Sequence, residues 1–283
     1  MKLLTLILLT VLTAISAHAA PLVHNKLQSN KDQYFIELIE LALSKVGKTH
    51  AFELQQTAEA LNQDQVVEGI KSGSVSILWA GTQPAYEQSM RPIRVPLLKG
   101  LQGHRLFIIN KNNQSNFNHI NSLADLQTLN AGQGRSWGDT QILRDAGLNV
   151  VTAVKKESLF YMVDGGRFDY FPLAVHEPWD EIRARPDLDL SVDKELLLVY
   201  PMPMYFFVSQ DNEELAQAIE QGLNIAIADG SFDQVFYQAP HIKSALQQAQ
   251  LANRRVIEIN NPNLSPATPL DRKELWLDLA KVM

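Results

Sequence analysis

Two stretches of the chain follow one plan, and that repetition limits the folds open to it. Val66 to Thr82 and Ser158 to Ala174 each start as a short amphipathic helix, stop at a glycine and continue at once as an apolar strand. A glycine at such a stop supplies the left-handed residue that ends a helix. Each strand then ends in polar or aromatic residues. Two such units predict two α/β lobes of similar design, and ligands of open α/β sheets sit beyond the carboxyl ends of the strands. The cleft between the lobes is the expected site.

The first residues are set apart from the fold. Lys2 precedes an apolar run from Leu3 to Ile15, followed by Ser16, Ala17, His18, Ala19 and Ala20, with small residues at the spacing of a signal-peptidase site. The run is shorter than the ~20 apolar residues of a membrane span. Residues 1–20 therefore read as a cleavable signal peptide that releases a protein without a transmembrane anchor. The sequence has no cysteine, which excludes a lipoprotein anchor and a disulfide framework and suits the bacterial periplasm. The formal charge is −6, or −7 once Lys2 is gone, and leaves no electrostatic footprint for nucleic acid. With 46% hydrophobic and 20% charged residues the composition is that of a packed globule.

Helix and strand signals alternate along the rest. Tyr34 to Val46, Gln63 to Ser72, Asp139 to Asp145, Asn212 to Asp229 and Ser231 to Tyr237 read as helices, with a last helix from Asp271. Ala51 to Gln55, Val75 to Ala80, His104 to Asn110, Leu129 to Gly132, Val150 to Val154, Leu196 to Tyr200, Tyr205 to Val208 and Arg255 to Ile259 read as strands. Thr82 to Met90 reads as a loop. Pro92 and Pro96 mark one crossing between lobes, and Pro201 with Pro203 marks the return. The lobes expected are residues 21–105 plus 205–283, and residues 106–204, each a mixed sheet flanked by helices.

The order of Asn121 to Leu126, Tyr205 to Ser209, Glu214 and Leu215, Ile219 to Leu223, and Asp229 to Phe236 resembles that of the extracellular solute-binding proteins of family 3, as in a divergent member. These are type II periplasmic binding proteins of ABC importers. The resemblance implies two lobes joined by two crossing strands that close on a small polar or zwitterionic ligand. It implies as partners an ABC permease or a membrane sensor, no nucleic acid, a monomer and no cofactor. The alternatives kept beside transport are ligand sensing without transport, and a degenerate periplasmic enzyme on the same scaffold.

The resemblance also places site residues. The turn after the third strand keeps Thr82, Tyr86 and Glu87, but Gln88 stands where the family has the arginine that clamps a ligand carboxylate. Gln88 lacks the charged fork of a guanidinium, which counts against an α-amino-acid ligand. The loop Gly134, Arg135, Ser136, Trp137 to Thr140 corresponds to the family's anion-binding turn at a helix N-terminus. Trp79 is a candidate stacking wall, Glu177 lies near the family's second-lobe acid position, and Arg91 and Arg94 flank Pro92 near the crossing. Enzyme motifs are absent: no nucleophile elbow, P-loop or His-Glu-x-x-His, and no two of the seven histidines share the i, i+4 spacing of a helical metal pair.

Overall fold

A computed structural model describes residues 19–278. Nearly all of the expected signal peptide lies outside the described residues, and Ala20 already pairs with Phe52. Among the described residues no helix is long and apolar enough to cross a membrane.

The first half runs β1 (Ala20–His24), α1 (Gln33–Lys45), β2 (Phe52–Gln56), α2 (Gln63–Ser72), β3 (Leu78–Gly81), α3 (Pro84–Ser89) and β4 (Arg91–Ile93). β1 and β2 pair in parallel through the α1 crossover, and a bridge from His24 to Ile77 leads on to β3. α1 forms because its apolar residues recur at helical spacing, and it buries Tyr34, Leu38, Ile39, Ala42 and Leu43 along one face. α2 opens with a reciprocal capping box between Asn62 and Gln65 and ends at Gly73, whose φ is 80°. The expected loop after Thr82 is instead α3. Pro84 occupies its first turn, where a missing N–H leaves no hydrogen bond unmade.

The second half runs β5 (His104–Asn110), α4 (Leu123–Leu126), β6 (Asn130–Gly134), α5 (Gly138–Asp145), β7 (Asn149–Ala153), α6 (Lys156–Asp164), β8 (Phe171–Ala174), α7 (Pro178–Arg183), β9 (Leu190–Val192) and β10 (Leu196–Val199). β6 and β7 pair in parallel around α5, as β1 and β2 do around α1. A bridge from Ala131 to Tyr170 joins β6 to β8. β5 pairs antiparallel with β8, β9 and β10, and its Leu106 to Ile109 are fully buried. The two repeated units correspond to α2 with β3 and to α6 with β8. The second helix gives way to Gly166 at φ 69°.

The return completes both halves. β11 (Met204–Val208) inserts antiparallel between β3 and β4. α8 (Glu213–Ala228), α9 (Ser231–Gln238) and α10 (Pro240–Ala249) contribute to the same apolar core as α1. α8 lies so close to α1 that a Cβ on Gly222 would stand 2.0 Å from the carbonyl oxygen of Ala42. β12 (Arg255–Glu258) then pairs in parallel with β10. The tail was expected to stay with the first lobe. It crosses instead, because Ile257 and Ile259 bury against Leu196, Leu198 and Tyr200. It then comes back, and the Leu277 N–H donates to the Lys99 carbonyl at 2.7 Å. Of the helix expected from Asp271, the described residues hold a single 3-10 turn, Lys273–Leu275. β1, β4, β9 and α10 are not among the expected elements, and Pro92, expected at a crossing, lies in β4 opposite Phe207.

The crossings between halves are held backbone to backbone. The Tyr200 N–H donates to Gly103 O at 3.1 Å, and Leu97 N–H to Met204 O at 2.9 Å. A Cβ on Gly103 would lie 1.9 Å from Tyr200 O, so glycine is required for this approach.

Candidate ligand-binding cleft

An open cleft of about 1020 Å³ lies where the carboxyl ends of β3, β6 and β8 face one another. Ser136 to Asp139 line it after β6, and Glu177 after β8. Trp79 to Gln83 line it from the first half, and Gln102, Arg105, Met202 and Met204 from the crossings.

Of the residues singled out in the sequence, Trp79, Thr82, Tyr86, Ser136, Trp137 and Glu177 line this cleft. Trp79 stacks on Phe35 with centroids 5.3 Å apart and planes at 16°. Trp137 stacks on Phe171 at 6.1 Å and 23°. Tyr86 meets Phe207 edge-on at 5.8 Å, and burial raises its phenol above the ordinary value. Each ring thus packs against another ring. Thr82 has a local task as well. Its hydroxyl donates to Glu87 Oε1 at 2.5 Å, and Arg94 holds the other oxygen of Glu87 at 2.7 Å. Arg94 is therefore committed to Glu87, and the Arg91 Nε–H donates to the Gln210 carbonyl.

Four candidates are placed elsewhere. Gln88 is exposed in the last turn of α3 and is not part of the lining, because the helix turns it away from the strand ends. Arg135 is exposed outside the lining, while its backbone N–H donates to Ala153 O at 2.9 Å. Gly134 is buried against the Trp137 ring: a Cβ there would meet Trp137 Cε2 at 2.4 Å. Thr140 is buried too, its hydroxyl donating to Gly134 O at 2.6 Å. Gly134 and Thr140 fasten the turn that presents Ser136 and Trp137.

The cleft also carries two cations, Arg105 and Lys156, that are not among the residues singled out in the sequence. Arg105 lines it at 2% exposure, and its Nη2 stands 2.5 Å from Asp139 Oδ2. The guanidinium lies 5.4 Å from the centroid of the Tyr200 ring, and Nη2 also contacts the Met202 sulfur at 3.1 Å. Burial opposes the charge on Arg105, but the facing carboxylate of Asp139 raises its pKa all the same. Burial pushes the Asp139 carboxyl above the usual carboxylate range, against the pull of Arg105. Lys156 at the start of α6 is shared between Glu181, at 2.6 Å, and Glu177, at 3.5 Å. The second oxygen of Glu177 accepts the Ala174 N–H at 2.9 Å. Burial works against the Glu177 charge, yet Lys156, His176 and Arg105 hold its pKa below the ordinary value. A signal for Arg105 did exist: it is a charged residue inside an otherwise apolar strand, two positions from a crossing glycine. Among the described residues no cluster of His, Cys, Asp and Glu is arranged to hold a metal.

No protein-family model matches the chain, and no curated protein matches it in sequence. Solved structures do match in shape. A probable amino-acid ABC transporter extracellular-binding protein from Bacillus subtilis is similar with a TM-score of 0.60 at 11% identity, over 80% of this chain and 99% of that one. An ancestral arginine-binding protein bound to arginine is similar at 0.55 and 16%, over 79% and 99%. A histidine kinase sensor domain with similarity to periplasmic binding proteins is similar at 0.54 and 16%, over 79% and 97%. The chain has the two-lobed α/β fold of the periplasmic binding proteins, and its structural neighbours include amino-acid ABC-transporter binding proteins. The resemblance read from the sequence thus holds at the level of the fold.

Proposed function

We propose that this chain is a periplasmic solute-binding protein, a monomer that takes a small polar molecule between two lobes and closes on it by bending at the crossings. The observation that carries the reading is the cleft. Aromatic rings from the first half and paired charges from the second face the same volume of about 1020 Å³. In this reading residues 21–103 with 205–254 form one lobe and residues 104–204 with β12 the other. A ligand touching both lobes favours the closed form by its differential affinity, and closure needs no other source of energy. The closed form is then read by an ABC permease.

The likeness to a histidine kinase sensor domain supports a second reading, in which a membrane sensor reads the closed form and nothing is transported. Loss of uptake on deleting the protein separates the two readings. Binding itself is tested by a thermal-shift screen of amines, amino acids, carboxylates and sugars. A ligand at about 100 times its Kd adds roughly 2.7 kcal/mol, about 5–10 °C in Tm for a chain of this size. Trp79→Ala should abolish that shift. A hit that survives both Trp79→Ala and Trp137→Ala binds outside the cleft and refutes the reading.

A further inference from the structure

In this cleft the place for a ligand's anionic group is already taken. Asp139 is the second residue of α5, where free backbone N–H groups and the helix dipole favour negative charge, and no side chain caps that helix. Its carboxylate also neutralises Arg105, a cation buried at 2% exposure that lines the same cleft. Helix end and guanidinium together form a site for an anion, and Asp139 fills it from within the chain. Lys156 is likewise covered by Glu177 and Glu181. The other charged residues of the lining are Lys26, Asp32 and Asp64, so the lining as a whole carries Lys26, Arg105 and Lys156 against Asp32, Asp64, Asp139 and Glu177, one negative charge in excess. Three aromatic rings, Trp79, Tyr86 and Trp137, complete the walls, and such faces attract cations.

We propose that Asp139 is an internal counter-ion that sets the specificity of the cleft, and that the ligand is an organic cation without a carboxylate. This rests on the solute-binding reading. A free α-carboxylate has no uncompensated buried cation to meet: Lys26, the lining cation with no carboxylate pair among the described residues, is exposed, and the buried charge is reached only by displacing Asp139 from Arg105.

The test has one arm that needs no ligand and one that does. In the first, Asp139→Asn and Asp139→Ala uncover Arg105, and sodium formate supplies the missing carboxylate. Formate should raise the Tm of both variants above that in equal sodium chloride and leave the wild type unchanged. Arg105→Met/Asp139→Leu, with neither charge, should not respond. If one variant fails to fold, the other carries the arm, and formate added during refolding gives the same readout. Equal Tm in formate and chloride for the variants, or a formate response in the wild type, overturns the proposal.

The second arm titrates agmatine and L-arginine, which differ only in the carboxylate, into the wild type by calorimetry. Agmatine should bind about ten- to a hundredfold more tightly, the size of an effect expected from one unmatched buried charge. L-arginine binding more tightly than agmatine overturns the proposal but leaves the cleft as a solute site. A formate response confined to the Asp139 variants, with no compound of any class binding the wild type, supports the counter-ion and refutes the solute-binding reading instead.

Discussion

Mild acid should loosen the contact between the halves, and the reason lies in two histidines. His176 precedes α7 in the second half and His241 lies in α10, with ring centroids 6.4 Å apart. The Nδ1 of His176 is buried without a hydrogen-bond partner. Burial lowers the pKa of His176 to about 4, with Lys31 and Arg105 adding to the effect and Glu177 opposing it. Burial likewise lowers His241 to about 4, with Lys31 adding and Asp180 and Asp32 opposing. A folded value below the unfolded one, near 6.5, means that the unfolded chain takes up protons first as pH falls. The stability is fully present above pH ~6.5 and is lost on the way down to the folded value. At pH 5 the unfolded ring is almost wholly protonated and the folded ring only about a tenth, a loss of about 2 kcal/mol for His176. His241 is partly exposed, so solvent screening reduces its share to about 1 kcal/mol. Urea denaturation at pH 7 and pH 5 should therefore differ by about 2–3 kcal/mol, or about 5–10 °C in Tm. His176→Gln cannot titrate and should remove more than half of that difference. A wild type equally stable at both pH values, or a His176→Gln protein with undiminished pH dependence, refutes the reasoning.

Two further changes probe the scaffold. Gly222→Ala pushes a methyl into the Ala42 carbonyl, where backbone cannot yield, and should cost at least about 1–3 kcal/mol in chemical denaturation; an unchanged midpoint would show that α8 does not pack on α1 as described. Arg105→Met leaves Asp139 buried and unpaired and should cost about 3–5 kcal/mol, whereas Arg105→Met/Asp139→Leu should recover most of it. Additive losses in that pair of variants would mean that the two side chains act independently.

What could be read in the sequence and what could not divide along the range of the interactions. α1, α2 and α8 were legible because apolar spacing and capping residues lie within a few positions of each other. The glycine stops at Gly73 and Gly166 were legible for the same reason. α10 was missed: its stripe of Ile242, Ala245 and Ala249 is weak, and only packing against the α1 core makes it count. The tail was misplaced because nothing local says whether Arg255 to Ile259 pairs with one sheet or the other. The cleft followed the same rule. Trp79 lies in β3 and Thr82 just after it, Tyr86 in the short helix that follows and Trp137 in the turn between β6 and α5, all on connections that the α/β topology brings to one end of the sheets. The pairing of Arg105 with Asp139 joins a strand to a helix far along the chain, and a sequence shows the two charges without their meeting. Gln88 lies outside the lining for a related reason. One turn of helix, started by Pro84, rotates it out to solvent.

The charges near the cleft thus form two sets with different consequences for movement. Arg105 with Asp139 and Lys156 with Glu177 and Glu181 lie within the second half, so bending at the crossings carries them as a unit. Lys31 is different. It precedes α1 in the first half and reaches Asp180 of α7 at 2.6 Å and the His176 carbonyl at 3.1 Å. That pair spans the halves, but both members are substantially exposed, at 32% and 49%, and an exposed pair contributes only ~0–1 kcal/mol. It therefore orients the halves without locking them. The crossings also meet at the backbone contact of Gly103 with Tyr200, where no side chain could fit between them. Arg105 follows two residues after that contact, and the Tyr200 ring faces its guanidinium. Under the proposed closure, the floor of the cleft and its buried cation thus lie beside the crossings themselves.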